Sequence, residues 1–250
     1  MKHQITVQVT ADKSGYSIDI KQIEECYMYK VVEHFVSING EGRRAGQLAL
    51  FIRFAGCNLA CLYCDTKWAN DKNCEYQEFS LEELLVMIKD SGVKNVTLTG
   101  GEPLIQPGMK ELLTELRKNK KINVEIETNG SVDMLKFMMY SAEDNVSFTV
   151  DYKTGCSGME PKMFLDNFKN VRAADTVKFV VGGIEDLEMA RRITDSYKLV
   201  EKKCSIYISP CFGLIEPKEI VEYMVRRKWN GVNIQLQLHK YIWEPERRGV

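Results

Sequence analysis

From residue 48 onward, short apolar segments of strand length alternate with amphipathic segments that have the period of an α-helix. Strands are predicted at 48–54, 94–99, 122–127, 146–151, 176–181, 204–209 and 232–239. Helices fit between them at about 80–91, 107–119, 131–140, 161–169, 185–199 and 217–228. Strict alternation of strands and helices indicates a parallel sheet with right-handed crossovers. Because these strands are one fewer than a closed eight-stranded barrel contains, the expected α/β fold is an incomplete, open parallel β/α barrel, with a doubly wound sheet as second choice.

Several predicted strands alternate between apolar and polar residues, although strands covered on both faces usually form continuous apolar runs. In one of them Val124 and Ile126 interleave with Glu125 and Glu127, and the alternation recurs at 96–99, 148–151, 205–209 and 233–239. Successive side chains point to opposite faces, so an apolar set that meets the helices leaves the polar set inside. Unpaired charges in a dry core cost several kcal/mol. We therefore expect a wet interior cleft that holds a polar ligand; the alternative is that these polar residues satisfy one another.

The first 30 residues do not follow the alternation. The segments at 5–9 and 16–20 could form a hairpin around Asp12–Gly15. The predicted organisation is therefore an N-terminal extension at 1–30 and one partial-barrel domain at 31–250.

Composition narrows the choice of partners and location. The chain is 44% hydrophobic and 28% charged, with 34 Lys and Arg against 35 Asp and Glu and a net charge of −1. This balance favours neither nucleic acid nor an anionic membrane as a partner. No apolar run approaches the roughly 18 residues of a membrane span, and the first residues lack the apolar core of a signal peptide. A cytoplasmic location is expected.

Three of the eight cysteines form a C-x3-C-x2-C cluster directly after the first predicted barrel strand: Cys57, Cys61 and Cys64. Three thiolates can hold three corners of a [4Fe–4S] cubane and leave the fourth iron open to a ligand. A tetrahedral zinc site with Cys74 as fourth ligand and a disulfide framework are the alternatives. The remaining cysteines are expected to be structural: Cys26, Cys74, Cys156, Cys204 and Cys211.

The cysteine spacing and the loop Thr99–Pro103 (TGGEP) together resemble the radical S-adenosylmethionine (SAM) enzymes. By itself, the glycine pair would as readily be a turn into the next helix. The resemblance implies that the three cysteines hold a [4Fe–4S] cluster, that SAM chelates the open iron, and that one electron cleaves SAM to a 5′-deoxyadenosyl radical. It also implies these SAM contacts: Tyr63, Asp65, Gly100, Gly101, Glu102, Glu127, Asn129, Asp151, Lys153 and Ser209.

Further segments resemble the 7-carboxy-7-deazaguanine synthase family, with matches from about Val31 to Val250: Phe35–Arg43, Phe51–Leu59, Cys64–Thr66 and Leu236–Lys240. The resemblance implies a carbon–nitrogen lyase that contracts 6-carboxy-5,6,7,8-tetrahydropterin to 7-carboxy-7-deazaguanine with loss of ammonia, for queuosine and other 7-deazapurines. It also implies Mg²⁺ at Thr66, a homodimer, and a flavodoxin-like or ferredoxin-like electron donor. The implied substrate contacts are Ile38, Asn39, Gly40, Glu41, Arg53, Thr99, Gln237, His239 and Val250.

Two of these residues suit a pterin chemically. Glu41 can accept from the guanidine-like donor edge of the ring, and Arg53 can bind the carboxylate with its bidentate fork. The chain departs from the family pattern at three places: Asn39 replaces Gln, Asp151-Tyr152 replaces Ser-Pro, and Ser209-Pro210 replaces Gln-Pro. Without the resemblance, the Thr66 hydroxyl could simply cap the turn after Asp65.

Two other functions stay open at this point. A radical activase that abstracts hydrogen from a glycine of a partner protein would need a wide groove rather than a polar pocket. A non-enzymatic zinc-binding module would carry one zinc and no iron or sulfide.

Overall fold

The computed structural model describes residues 27–250, apart from 72, 142–144 and 245–246, and the backbone of four strands before them. Those strands are β1 (Lys2–Gln4), β2 (Val7–Asp12), β3 (Gly15–Ile20) and β4 (Glu24–Cys26). Strand β1 pairs antiparallel with β4, and β2 pairs antiparallel with β3, with Asp12 opposite Gly15. The β2–β3 ladder lies where the sequence predicts a hairpin; its connecting residues, 13–14, fall outside the described part of the chain.

A nine-stranded sheet forms the centre of the molecule, in the order β13-β12-β11-β10-β9-β8-β6-β5-β7. Its strands are β5 (Tyr29–Ile38), β6 (Leu48–Phe54), β7 (Gln77–Phe79), β8 (Asn95–Gly100), β9 (Asn123–Thr128), β10 (Val146–Lys153), β11 (Thr176–Val181), β12 (Ser205–Pro210) and β13 (Asn233–Ile234). Strand β6 and strands β8 to β13 run parallel. Among the described residues, β13 and β7 form the two edges of the sheet and do not pair with each other, so the sheet is open. The predicted fold class is confirmed.

The antiparallel pairs at one edge were not predicted. Strand β5 lies antiparallel to both β6 and β7. The sheet thus begins at Tyr29, slightly before the predicted domain boundary. Because β5 faces β6 with Glu33 opposite Arg53 and Phe35 opposite Phe51, the edge contributes side chains to the interior.

The helices are α1 (Lys67–Asn70), α2 (Leu81–Asp90), α3 (Met109–Leu116), α4 (Leu135–Met138), α5 (Asp166–Asn170), α6 (Ile184–Ser196), α7 (Pro217–Arg227) and α8 (His239–Ile242). Helix α2 begins with a reciprocal cap, in which Glu83 N donates to Ser80 Oγ and Ser80 N donates to the Glu83 carboxylate. Among the described helices, none has the length and apolar character needed to cross a membrane.

Three predicted elements are shorter than expected. The predicted strand at 232–239 pairs only over Asn233–Ile234, because the backbone beyond bonds to the loop after β5: Leu238 N donates to Gly40 O (3.1 Å). The predicted helix at 131–140 is a single α-helical turn followed by a 3₁₀ turn. The predicted helix at 161–169 starts only at Asp166, since Pro161 lies in a separate 3₁₀ turn.

The parallel strands separate a dry side from a polar side. Their apolar residues are fully buried, for instance Ile52, Leu98, Ile126 and Phe148, and they belong to one continuous core with residues of the surrounding helices. The intervening positions of the same strands carry the polar residues predicted to face inward. This division places polar side chains inside the curve of the sheet.

Candidate active site

A cavity of about 890 Å³ lies inside the open barrel, and every site residue predicted from the sequence except Glu102 lines it. The alternating polar residues fall into two groups, those that line the cavity and those that do not. Thr99, Glu127 and Asp151 face the cavity. Glu125 and Thr149 do not, and they hydrogen bond to each other. The expected wet cleft is therefore present, and mutual satisfaction accounts for the polar residues that do not reach it.

The three clustered cysteines lie on the loop that follows β6, and all three line the cavity as half-buried free thiols. The Cys57 Sγ accepts from Leu59 N (3.4 Å) and Asn129 Nδ2 (3.5 Å). The Cys64 Sγ accepts from Asn70 Nδ2 (3.6 Å). Burial raises the pKa of the Cys57 and Cys61 thiols. These thiols are therefore unsuited to act as nucleophiles by themselves, whereas a coordinated metal deprotonates its thiol ligands outright.

The arrangement differs from a single-ion site. Within the described part of the chain, no three His, Cys, Asp or Glu side chains are gathered as ligands of one metal ion. Cys74, the fourth ligand of the zinc alternative, instead donates from its Sγ to Ala69 O (3.4 Å). A cubane places each thiolate on a different iron, so its ligands need not converge on one point.

The glycine pair after β8 is required by backbone packing. Gly101 N donates to Phe54 O (3.1 Å), and Glu102 N donates to Gly56 O (2.9 Å). A Cβ at Gly101 would lie 1.8 Å from the Gly56 carbonyl oxygen, and one at Gly100 would lie 2.3 Å from that of Phe54. The loop thus locks the chain just before Cys57, and both glycines also reach the cavity.

Replacing Gly101 by alanine is therefore expected to separate this loop from the end of β6, because the new methyl group has no room beside Gly56 O. We expect unfolding free energy to fall by on the order of 3 kcal/mol and the iron content to drop with it. Urea denaturation and iron analysis measure both effects. The control is Gly183→Ala, whose nearest neighbour would be 3.4 Å away. Equal stability of the two variants would contradict the packing argument.

Glu102 differs from the other predicted SAM contacts, because its side chain is fully buried and does not line the cavity; its contact with SAM stays a prediction. Its carboxylate accepts from Leu104 N (3.0 Å), Thr128 Oγ1 (2.8 Å) and Asn129 N (2.7 Å). Burial raises the pKa of Glu102 to about 7, although these hydrogen bonds favour the charged form. In this structure Glu102 holds the end of β9 in place, and Asn129, which it fixes, reaches Cys57.

A row of alternating charges crosses the cavity. Lys153 Nζ lies 2.7 Å from Asp151 Oδ2, and Lys178 Nζ lies 3.5 Å from Asp151 Oδ1 and 3.0 Å from Glu41 Oε2. Burial lowers the pKa of Lys178, but the carboxylates of Asp151, Glu41 and Glu127 outweigh it and hold that pKa well above its usual range. Lys178 was not predicted, although its place between Val177 and Phe179 on β11 is the same alternating signal found in the other strands.

Among the charged residues that line the cavity, Glu127 has a carboxyl group whose pKa lies near neutrality. Burial raises the pKa of Glu127 from 4.5 to about 7, although Lys178 and a hydrogen bond with Thr99 lower it. A carboxyl group whose pKa is raised by folding stabilises the folded state at pH values below its pKa in the unfolded chain. This stability is lost as the pH rises through its pKa in the folded state. The structure therefore predicts a loss of stability between about pH 4.5 and pH 7.

Glu127→Gln removes that titration. We expect the unfolding free energy of the cofactor-free variant to fall less between pH 4.5 and 7 than that of the wild type, by on the order of 2 kcal/mol. Urea denaturation at stepped pH measures the difference, and Glu222→Gln on the exposed face of α7 is the control. Parallel profiles for wild type and Glu127→Gln would refute the assignment.

The β5–β6 pair forms another part of the cavity wall. Arg53 Nε donates to Glu33 Oε1 at 2.7 Å, and the rings of Phe35 and Phe51 stack with centroids 5.1 Å apart. All four line the cavity, but only Arg53 was predicted. The others depend on the antiparallel register of β5, which the alternation of strands and helices does not reveal.

The loop after β5 supplies further predicted residues. Thr97 Oγ1 donates to Asn39 Oδ1 (3.0 Å), and Asn39 Nδ2 is buried without a partner among the described residues. Gly40 packs against His239, another predicted substrate contact, since a Cβ at Gly40 would lie 2.8 Å from His239 Nδ1. Burial lowers the pKa of His239. Both Asn39 and His239 line the cavity.

Thr66 and Val250 also line the cavity. The Thr66 hydroxyl makes no cap for α1 and lies 3.6 Å from Cys64 Sγ, so the capping alternative does not describe it. Val250 lines the cavity together with neighbouring C-terminal residues. Arg248 lies over the ring of Trp68, 4.0 Å from its centroid, and this contact attaches the C-terminal segment to α1.

Known proteins resemble both the sequence and the fold. The Radical SAM superfamily model matches residues 51–154. The 7-carboxy-7-deazaguanine synthase of Clostridium acetobutylicum is 54% identical over 222 residues, covering 89% of this chain and 99% of that protein. That of Methanospirillum hungatei is 35% identical, covering 86% of each. The crystal structure of QueE from Escherichia coli matches with a TM-score of 0.63 and 25% identity, over 83% of this chain and 94% of that one. The chain therefore belongs to the 7-carboxy-7-deazaguanine synthase family of radical SAM enzymes.

Proposed function

We propose that this chain converts 6-carboxy-5,6,7,8-tetrahydropterin into 7-carboxy-7-deazaguanine with loss of ammonia, on the route to queuosine and other 7-deazapurines. One observation carries the proposal: three free thiols, Arg53 and Glu41 line one polar cavity, in a member of this family. Its volume of about 890 Å³ is at the upper end of the range of small-molecule sites. It therefore has room for a cofactor and a substrate together.

The residues around the cysteines fit a [4Fe–4S] cluster with SAM. Soft thiolate ligands favour iron–sulfur clusters, and Cys57, Cys61 and Cys64 leave one corner for an outside ligand. Two buried polar atoms beside them, Tyr63 OH and Asn70 Oδ1, have no partner among the described residues, as expected where a ligand completes the site. When bound, the cluster and SAM supply a 5′-deoxyadenosyl radical to the cavity.

The protein's own residues position the cofactor. Asn129 is fixed through its backbone by Glu102, and its amide faces the cysteine loop. Lys153 and Asp151 form an ion pair at the end of β10, where they can meet the carboxylate and hydroxyl groups of SAM. The side chains of Lys153 and Asp151 are only 13% and 18% exposed, which limits their contact with bulk water.

The pterin is assigned to the part of the cavity lined by Arg53 and Glu41. The Arg53 guanidinium has its Nε held by Glu33, which leaves its two Nη atoms without a partner in the described residues and able to bind a carboxylate. The stacked Phe35 and Phe51 form an apolar wall beside it. Glu41 provides the acceptor for the guanidine-like edge. These contacts orient the ring between Arg53 and the cysteine loop.

Several finer assignments complete the proposal. Mg²⁺ is held by the Thr66 hydroxyl, water and substrate oxygens, which matches its preference for oxygen ligands. The protein acts as a cytoplasmic homodimer and receives its electron from a flavodoxin-like or ferredoxin-like donor. Metal titration of turnover, sedimentation and donor substitution test these three points separately.

The direct test is anaerobic turnover of the reconstituted protein with mass detection of the product. We expect 7-carboxy-7-deazaguanine only when carboxytetrahydropterin, SAM, a reductant and Mg²⁺ are all present. Omission of each component in turn is the control. A fully loaded protein that cleaves SAM but leaves the pterin unchanged under these conditions would contradict the proposal.

A further inference from the structure

Lys178 lines the cavity and joins two carboxylates from different parts of the chain. It projects from the middle of β11, and its side chain is only 12% exposed. Its ammonium contacts Glu41 at 3.0 Å and Asp151 at 3.5 Å. Glu41 belongs to the loop after β5, whereas Asp151 lies on β10. One cation thus bridges the proposed pterin contact and the proposed SAM contact.

The two carboxylates depend on Lys178 to different degrees. Asp151 keeps a second and closer cation, since Lys153 Nζ lies 2.7 Å from its other oxygen. Among the described residues, Lys178 is the only cation within ion-pair distance of Glu41. A buried carboxylate that loses its counterion bears an uncompensated desolvation cost. Loss of Lys178 should therefore disturb Glu41 much more than Asp151.

The contacts of Glu41 also leave one oxygen able to take a ligand. Lys178 holds Oε2, while Oε1 has only a 3.5 Å contact with the Ser209 hydroxyl. A carboxylate oxygen can accept more than one hydrogen bond, so Oε1 retains capacity for an N–H donor of the ligand. The ammonium thereby fixes the rotation of the carboxylate and the direction in which Oε1 points.

We propose that Lys178 is a positioning residue that holds Glu41 in the orientation that binds the donor edge of the pterin. This inference rests on the proposed function, because it takes the pterin as the ligand of Glu41. Lys178 sets the affinity for the pterin, and it affects SAM less because Lys153 remains on Asp151.

The test measures two affinities on the anaerobically reconstituted holoenzyme. Lys178→Met keeps the length of the side chain and removes the charge. We expect it to weaken pterin binding about 30-fold, the effect of a charge-assisted hydrogen bond, with less than about a fivefold change for SAM. Lys178→Arg should recover most of the loss. Lys218→Met, at an exposed ion pair on α7, is the matched control.

A double-mutant cycle separates positioning from general structural support. Glu41→Gln removes the group that Lys178 holds, so adding Lys178→Met to it should reduce pterin affinity by less than about threefold more. Asp151→Ser should show the reverse preference, with SAM affinity reduced more than pterin affinity. These ratios do not depend on how much protein folds, because affinities are measured on the loaded fraction.

The outcomes are distinguishable. If the wild type neither binds nor converts the pterin, the proposed function fails and this inference fails with it. If the wild type converts the pterin and Lys178→Met binds it with unchanged affinity, the inference alone is wrong. Equal losses for SAM and pterin, or full additivity with Glu41→Gln, would likewise overturn it and leave Lys178 a purely structural residue.

Discussion

Replacing any one of Cys57, Cys61 and Cys64 by alanine is expected to give a colourless protein that forms no product. Each thiol supplies one corner of the proposed cluster, and Cys74, the next cysteine along the chain, has its Sγ turned to Ala69 O. Iron and sulfide content after anaerobic reconstitution, together with product formation, measures the effect. We expect turnover to fall to the limit of detection.

The control for this prediction is Cys74→Ala, in the same region of the chain, where the Sγ that is removed donates to Ala69 O. It should keep its iron and its activity. A variant lacking all three clustered cysteines that remained brown and fully loaded would refute the assignment. Loss of one bound zinc in Cys74→Ala would instead support the zinc module.

The second large effect is expected at Arg53. Arg53→Met removes the guanidinium fork from the cavity and leaves Glu33 without its partner. Two charge-assisted hydrogen bonds to a carboxylate are lost, so we expect pterin affinity to fall by about 100-fold or more. Iron content and slow cleavage of SAM without substrate should persist, because the cysteine loop is untouched.

Arg226→Met, on the exposed part of α7, provides the control for loss of an arginine. Arg53→Lys should give an intermediate loss, since an ammonium cannot reproduce the bidentate fork. Retained pterin turnover in Arg53→Met would contradict the assignment. If that variant also generated a radical on a partner protein, the result would support the activase alternative, which the polar cavity does not favour.

The alternation of strands and helices was sufficient to predict the parallel sheet, because each strand and each helix carries its own local pattern. It failed where long-range pairing decides the structure. The antiparallel strand β5 places Glu33 and Phe35 beside Arg53 and Phe51, and only the register brings them together. The segment after β13 is an equivalent case, since Leu238 N donates to Gly40 O in the loop after β5.

The site was predicted mainly by motif. One cavity is lined by the three clustered cysteines, Glu41 and Arg53, as the family resemblance implies. Glu102 belongs to the same motif, but three hydrogen bonds turn its carboxylate away from the cavity. Lys178 belongs to no motif and was missed, because its importance arises from two carboxylates that are distant in sequence.

The central claim is that three thiolates leave one iron open to SAM. Electron paramagnetic resonance of the reduced, reconstituted protein, recorded with and without SAM, tests it most directly. We predict one reduced [4Fe–4S] signal per chain whose g-values shift when SAM is added, because the cofactor chelates the open iron. A cluster signal that SAM leaves unchanged at saturating concentration would contradict the account.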